Sequence, residues 1–220
     1  MAPRIPRLVL AEEIANAVTH GAGALLSAMA LALMLETVVA GREGLWHVLS
    51  VLVYGLSLIL LYLASTLYHS FFHLPKVKAV FQILDHSAIY LLIAGSYTPF
   101  LWIALRKSSG MYMSAVVWSL ALVGIIWQCC AIGKYRILST LCYVGMGWLS
   151  VVLIPDLLRA LPEEALFWLA AGGVSYTAGA VFYLMKKLPF HHAVWHLFVL
   201  AGSAAHFYCI YQFVLPLSEL

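Results

Sequence analysis

His192 and His196 stand four residues apart in H-A-V-W-H, a spacing that puts them about 40° apart on one face of an α-helix. Two imidazoles one turn apart can grip a single metal ion through Zn–N bonds of about 2.0–2.1 Å, and one more ligand from another helix leaves a fourth position for water. That arrangement is of the catalytic kind, whereas structural zinc sites are closed. The pentapeptide is not the HExxH of zinc proteases, because Ala193 takes the place of the catalytic glutamate. Taken alone, HxxxH is a weak signal in a chain with nine histidines. Ser65 and His69 repeat the spacing, and the bland reading of Ser65 is a hydroxyl bonded back to the Leu61 carbonyl. Asp85, followed by His86 and Ser87, lies inside an apolar run. A charge at mid-bilayer costs about 2.5–3.5 kcal/mol on insertion scales and usually faces the interior of a helix bundle.

The elements that must position these groups follow from composition. Of 220 residues, 64% are hydrophobic and 10% charged, and the mean hydropathy is +0.97. A soluble domain carries about 25% charged residues, so this chain reads as a polytopic membrane protein. A net charge of +3, thinly spread, gives no basic patch for nucleic acid. The first twenty residues lack the apolar core and cleavage site of a signal peptide. Cys129, Cys130, Cys142 and Cys209 fall in apolar stretches without a CxxC pair and read as small apolar-face residues.

Charges and turn residues divide the chain into seven apolar segments, approximately 17–40, 46–72, 80–104, 111–132, 137–154, 164–185 and 191–214. Lipid cannot satisfy exposed backbone groups, so these segments must be helices. The predicted architecture is all-α: one domain over residues 1–220, an integral membrane seven-helix bundle with antiparallel neighbours. Ala171, Ser175 and Gly179 form a small-residue stripe suited to close helix packing. Tyr68, Tyr90 and Tyr97 read as packing residues that could also face a site.

Arg4, Arg7, Lys76, Lys78, Lys134, Arg136, Lys186 and Lys187 lie on the N-terminal side of this topology, against Arg42, Arg106, Lys107 and Arg159 opposite. Eight cations against four put the N-terminus inside and the C-terminus outside. Seven histidines (His20, His69, His73, His86, His191, His192 and His196) then fall near the inner ends of their helices, and only His47 and His206 do not. His69, Asp85, His192 and His196 arrive at one depth from three helices. Glu36, near the outer end of the first span, reads as a snorkelling carboxylate.

Three blocks together resemble the hemolysin III family, the bacterial branch of the progestin and adipoQ receptor proteins, distantly related to alkaline ceramidases. They are E-I-A-N-A-V-T-H with Glu13, Asn16, Thr19 and His20; S-T-L-Y-H followed by D-H-S-A-I-Y; and H-A-V-W-H-L-F-V-L-A-G-S-A-A-H-F-Y, ending past His206. The likeness covers nearly the whole chain. It implies a Zn²⁺ site with His69, His192 and His196 as ligands, Asp85 as the acid beside the catalytic water and Ser65 as the neighbouring hydroxyl. It also implies that Glu13, Asn16 and His20 matter, without giving them a role. His206, ten residues and about 15 Å beyond His196, is too far away to share the metal.

The chemistry expected of such a site is zinc-dependent hydrolysis of a lipid amide or ester, with Asp85 as general base and Ser65 assisting the oxyanion. Membrane lipids are the expected partners, as substrate or ligand, and the bacterial inner membrane is the expected location. The alternatives are a non-catalytic zinc staple in a lipid-sensing or membrane-homeostasis protein, a hemolysin-like cytolytic protein, and heme held by facing histidines. A water-filled pore sits poorly with spans holding two acidic and no basic side chains. The asymmetry of charge makes one direct prediction: a reporter fused after Leu220 should be active outside the cytoplasm. A cytoplasmic C-terminus would invert the topology.

Overall fold

The structure, a computed structural model, describes residues 6–131 and 133–217. Arg4, one of the eight inner cations, and Ile132 and Leu220, which close the fourth segment and the chain, lie outside the described residues. Among the described residues there are eight α-helices and no strand. They are α1 (Arg7–Ala40), α2 (Leu45–Ser70), α3 (Pro75–Pro99), α4 (Gly110–Ala131), α5 (Arg136–Gly147), α6 (Ile154–Ala160), α7 (Glu163–Leu184) and α8 (His191–Cys209). Trp148–Leu153 is a 3₁₀ stretch that joins α5 to α6 as one continuous run, and π-helical turns at Phe100–Ala104 and Ile210–Val214 prolong α3 and α8. Among the described residues, seven helical runs are thereby long and apolar enough to cross a membrane. The chain is a multi-pass membrane protein.

Two runs extend further than the apolar segments suggest. Helix α1 begins at Arg7 rather than residue 17, carrying Glu12 and Glu13 in helical geometry beyond the continuous apolar stretch. The segment 155–163, expected as a loop, is helical from Ile154 to Ala160, with Pro155 in the first turn, where its missing N–H costs nothing. Proline also shapes the end of α3. Pro99 cannot donate to the Gly95 carbonyl, and the helix loosens directly after it into π turns closed by the Leu105 N–H on the Phe100 carbonyl at 2.8 Å.

Packing is most extensive between α1 and α2, α2 and α3, and α7 and α8, while α1 also meets α8 and brings the first and last spans together. Small residues permit the closest approaches. A Cβ on Gly95 of α3 would lie 2.2 Å from Ser57 Oγ of α2, and one on Gly179 of α7 would lie 2.8 Å from Phe198 Cβ of α8. Ser175 donates to the Phe198 carbonyl at 2.8 Å on that same seam. Leu25, Leu26 and Met29 of α1 and Val123 and Ile126 of α4 are exposed, as suits side chains facing lipid. The α5–α6 run is packed less tightly, chiefly on α3 and α7. Behind it lies an apolar cavity of about 350 Å³, bounded by α3, α7 and α8.

Candidate metal centre

The fold brings His69 near the end of α2 together with His192 and His196 at the start of α8. One nitrogen from each lies within 4.8 Å of the others. Their ring centroids are 4.9 Å (His69–His192), 5.3 Å (His69–His196) and 4.7 Å (His192–His196) apart. The Nε2 atoms of all three are buried and have no hydrogen-bond partner within the protein.

Their other nitrogens explain why Nε2 is the free one. His69 Nδ1 lies 2.6 Å from Glu13 Oε2, so the ring N–H donates to the carboxylate and the Nε2 lone pair points away from it. Glu13 is gripped on its second oxygen by Lys78 Nζ at 2.5 Å, and the same ammonium sits 5.0 Å from the Tyr68 ring centre. The Asn16 amide, 3.5 Å from His69 Nδ1, is too distant to compete with Glu13. Thr19 donates its hydroxyl proton back to the Ala15 carbonyl at 2.8 Å and lies 3.0 Å from the Asn16 carbonyl. Its oxygen can therefore only accept from His196 Nδ1, 3.1 Å away, which again leaves Nε2 as a lone pair. Such partners fix the tautomer and ring orientation of metal-binding histidines. His192 is wedged against Trp195 and Tyr183, at 4.8 and 5.7 Å between ring centres.

Asp85 stands on α3 beside this group, close enough to interact electrostatically with His69 and adjacent to Ser65. It is 1% exposed; the Ser65 hydroxyl faces its carboxylate, and His86 Nδ1 is 3.6 Å from Oδ2. Ser65 is buried, and its hydroxyl is turned toward Asp85 rather than back onto the Leu61 carbonyl. His20 stacks on His196 with centroids 3.4 Å apart and an interplanar angle of 11°, both of its nitrogens unpartnered. Tyr68 packs edge-on against His69, Tyr97 is tied to the Gly147 carbonyl at 2.6 Å, and Tyr90 packs on Tyr143. Glu36 is exposed, and His206 is no part of the histidine group.

Three imidazole lone pairs and a carboxylate faced by the Ser65 hydroxyl form a buried, acceptor-rich nest. Buried polar atoms in native proteins are almost always satisfied, and an orphan set of this kind calls for a bound ion or water. Three imidazole nitrogens gathered beside a carboxylate suit a divalent transition metal such as zinc. The residues fit the group.

The family described as "Haemolysin-III related" matches residues 8–207, which include every residue of this centre. The chain belongs to that family. It is 52% identical to Hemolysin-3 of Bacillus cereus over 206 residues, 93% of each chain. It is 47% identical to the Hemolysin-3 homolog of Bacillus subtilis over 199 residues, 90% of this chain and 92% of the relative. The human Monocyte to macrophage differentiation factor is 31% identical over 179 residues, 78% of this chain and 73% of the relative. The likeness thus reaches beyond bacteria, in keeping with a wider progestin and adipoQ receptor relationship.

Sequence reasoning about spacing missed the supports of the metal-ligand candidates. Glu13, Asn16, Thr19 and His20 recur at helical intervals of three, three and one, a one-face pattern that could have revealed them; nothing local marks Lys78. Loss of a partner of this kind costs about 10–100-fold in metal affinity. Glu13→Gln, which keeps the volume but weakens the acceptor and its hold on Lys78, is expected to lower zinc affinity by about that factor in chelator competition. Unchanged affinity would show that the His69 contact has no bearing on metal binding.

Proposed function

We propose that this protein is a zinc-dependent hydrolase of lipid amides or esters in the bacterial inner membrane, with its site toward the cytoplasm. The observation that carries the reading is the pairing of the three-histidine group with a buried carboxylate, Asp85, and the Ser65 hydroxyl beside it. A zinc ion that merely clamped helices would need neither.

His69, His192 and His196 would hold the ion through Nε2. Zinc held there would supply Lewis acidity and bring the pKa of a water down toward about 7. Asp85 would act as general base toward the attacking water and return the proton to the departing nitrogen or oxygen as the C–N or C–O bond breaks. Ser65 donates a hydrogen bond to the developing oxyanion. His20, Tyr183 and Trp195, which pack on the candidate ligands, also form one end of the apolar cavity. A lipid's acyl chain would occupy the cavity while its carbonyl crosses that rim. Ceramide-like amides are the substrate class favoured by the family resemblance.

The competing account is the zinc staple of a non-catalytic lipid sensor, and Asp85 separates the two. Asp85→Asn keeps volume and hydrogen-bonding reach but cannot take a proton. Loss of a general base typically costs about 10²–10⁴-fold in rate. Release of fatty acid from a panel of ceramides, phospholipids and N-acyl amines should fall by that factor in Asp85→Asn while zinc content stays near that of the wild type. No turnover by zinc-loaded wild type above a His192→Ala blank, across the whole panel, would leave the staple.

A further inference from the structure

The polar side chains on the cavity wall are nearly all spent. Ser96 donates to the Ile93 carbonyl, Thr140 to the Arg136 carbonyl, Thr177 to the Gly173 carbonyl, and the Tyr97 hydroxyl engages the Met146–Ser150 backbone. Among the described residues, two residues of the cavity lining, His20 and His206, carry buried side-chain nitrogens without a partner. His20 lies against the metal-ligand candidates. His206 lies ten residues farther along α8 than His196, about 15 Å deeper.

The berth of His206 is built by α7. Its Nε2 is 3.2 Å from the Leu169 carbonyl oxygen, which can only accept, so Nε2 bears the ring proton and Nδ1 of the neutral imidazole is an acceptor with nothing to accept. Gly172 makes room for the ring, since a Cβ there would lie 2.1 Å from His206 Cδ2. Tyr176, another cavity residue, meets the ring edge-on at 5.4 Å between centres. The Tyr176 whose ring meets His206 also belongs to a hydroxyl chain with a proton to spare. Tyr62 donates to Ser203 Oγ at 2.7 Å in preference to the Val199 carbonyl at 3.4 Å, and Ser203 shares one proton with the Tyr176 hydroxyl at 2.8 Å. Three hydroxyl protons serve two short bonds, which leaves one over on Tyr176 or Ser203.

We propose that His206 and Tyr176 form a second polar subsite, deep in the cavity, that recognises a hydroxyl group carried mid-chain by the lipid acyl chain. A hydroxyl is donor and acceptor at once: it can donate to His206 Nδ1 and accept from the Tyr176–Ser203 pair. A methylene leaves both unsatisfied. The proposal rests on the cavity holding an acyl chain, as in the hydrolase reading, and adds selectivity for hydroxylated chains. Its depth sets where the hydroxyl must fall, well along the chain from a carbonyl at the metal end.

The test uses the full-length protein in nanodiscs and measures binding of stearate and of positional isomers of hydroxystearate by the fluorescence of Trp148 and Trp195 on the cavity wall. One mid-chain isomer is expected to bind about tenfold more tightly than stearate, the worth of a buried hydrogen bond that would otherwise go unmade, with affinity falling for hydroxyls on either side. In His206→Leu, and more weakly in Tyr176→Phe, the ratio of hydroxystearate to stearate affinity should collapse toward one, with zinc content as a check on folding. Equal binding of stearate and every isomer by the wild type would overturn the subsite while leaving the acyl-chain cavity standing. So would a preference that survives in both variants. Failure of the wild type to bind any of these fatty acids would overturn the cavity reading and the subsite with it.

Discussion

Lone pairs gathered inside a bundle, shielded from bulk water, have to be matched within it. Nε2 of His69, His192 and His196, both oxygens of Asp85 and the Ser65 hydroxyl form such a gathering, contributed by α2, α3 and α8. An uncompensated buried polar group costs roughly 1–3 kcal/mol and a charged one more, so the assembly is intelligible as the coordination environment of a cation. The surroundings are consistent with that constraint. Helix α1 runs past the apolar stretch so that Glu13 can orient His69 and Thr19 can orient His196, and its contact with α8 joins the first span to the last. The remaining nitrogen of each of these two rings is thereby left for the ion.

This arrangement divides the protein into a stiff part and an accommodating one. Close packing at Gly95 on Ser57 and at Gly179 on Phe198 fixes the helices that carry the histidines and Asp85. The α5–α6 run, interrupted by 3₁₀ geometry and by Pro155, lies more loosely over α3 and α7 and leaves the apolar cavity beneath it. Chemistry on a lipid asks for both: ligands held to within a fraction of an ångström, and a flexible chain admitted beside them. The rings of His20, Tyr183 and Trp195 touch both parts.

Much of this was legible in the sequence because the bilayer allows so few solutions. Seven apolar runs had to be helices, and H-A-V-W-H on one helix face, with His69 and Asp85 at the same depth, followed from their order along antiparallel spans. What escaped depended on where a helix exceeds its apolar stretch and on its rotation. Hydropathy ends a segment where charge begins, so it could not see that α1 starts at Arg7 or that Ile154–Ala160 continues a helix beyond Pro155. Rotation decides that Ser65 turns its hydroxyl toward Asp85, that Lys78 meets Glu13, and that Gly172 rather than the neighbouring small-residue stripe makes room for His206. The resemblance singled out Glu13, Asn16 and His20 without a task; side-chain geometry gives Glu13 its partner and sets His20 flat against His196.

The central claim is that a metal ion satisfies the three histidines, and X-ray absorption at the zinc edge addresses it most directly. Protein purified from its own membranes without added metal or chelator should contain about one zinc per chain, and its spectrum should fit three imidazole nitrogens at about 2.0–2.1 Å with oxygen completing the shell. A chain without stoichiometric metal, or a zinc shell containing sulfur, would contradict the account.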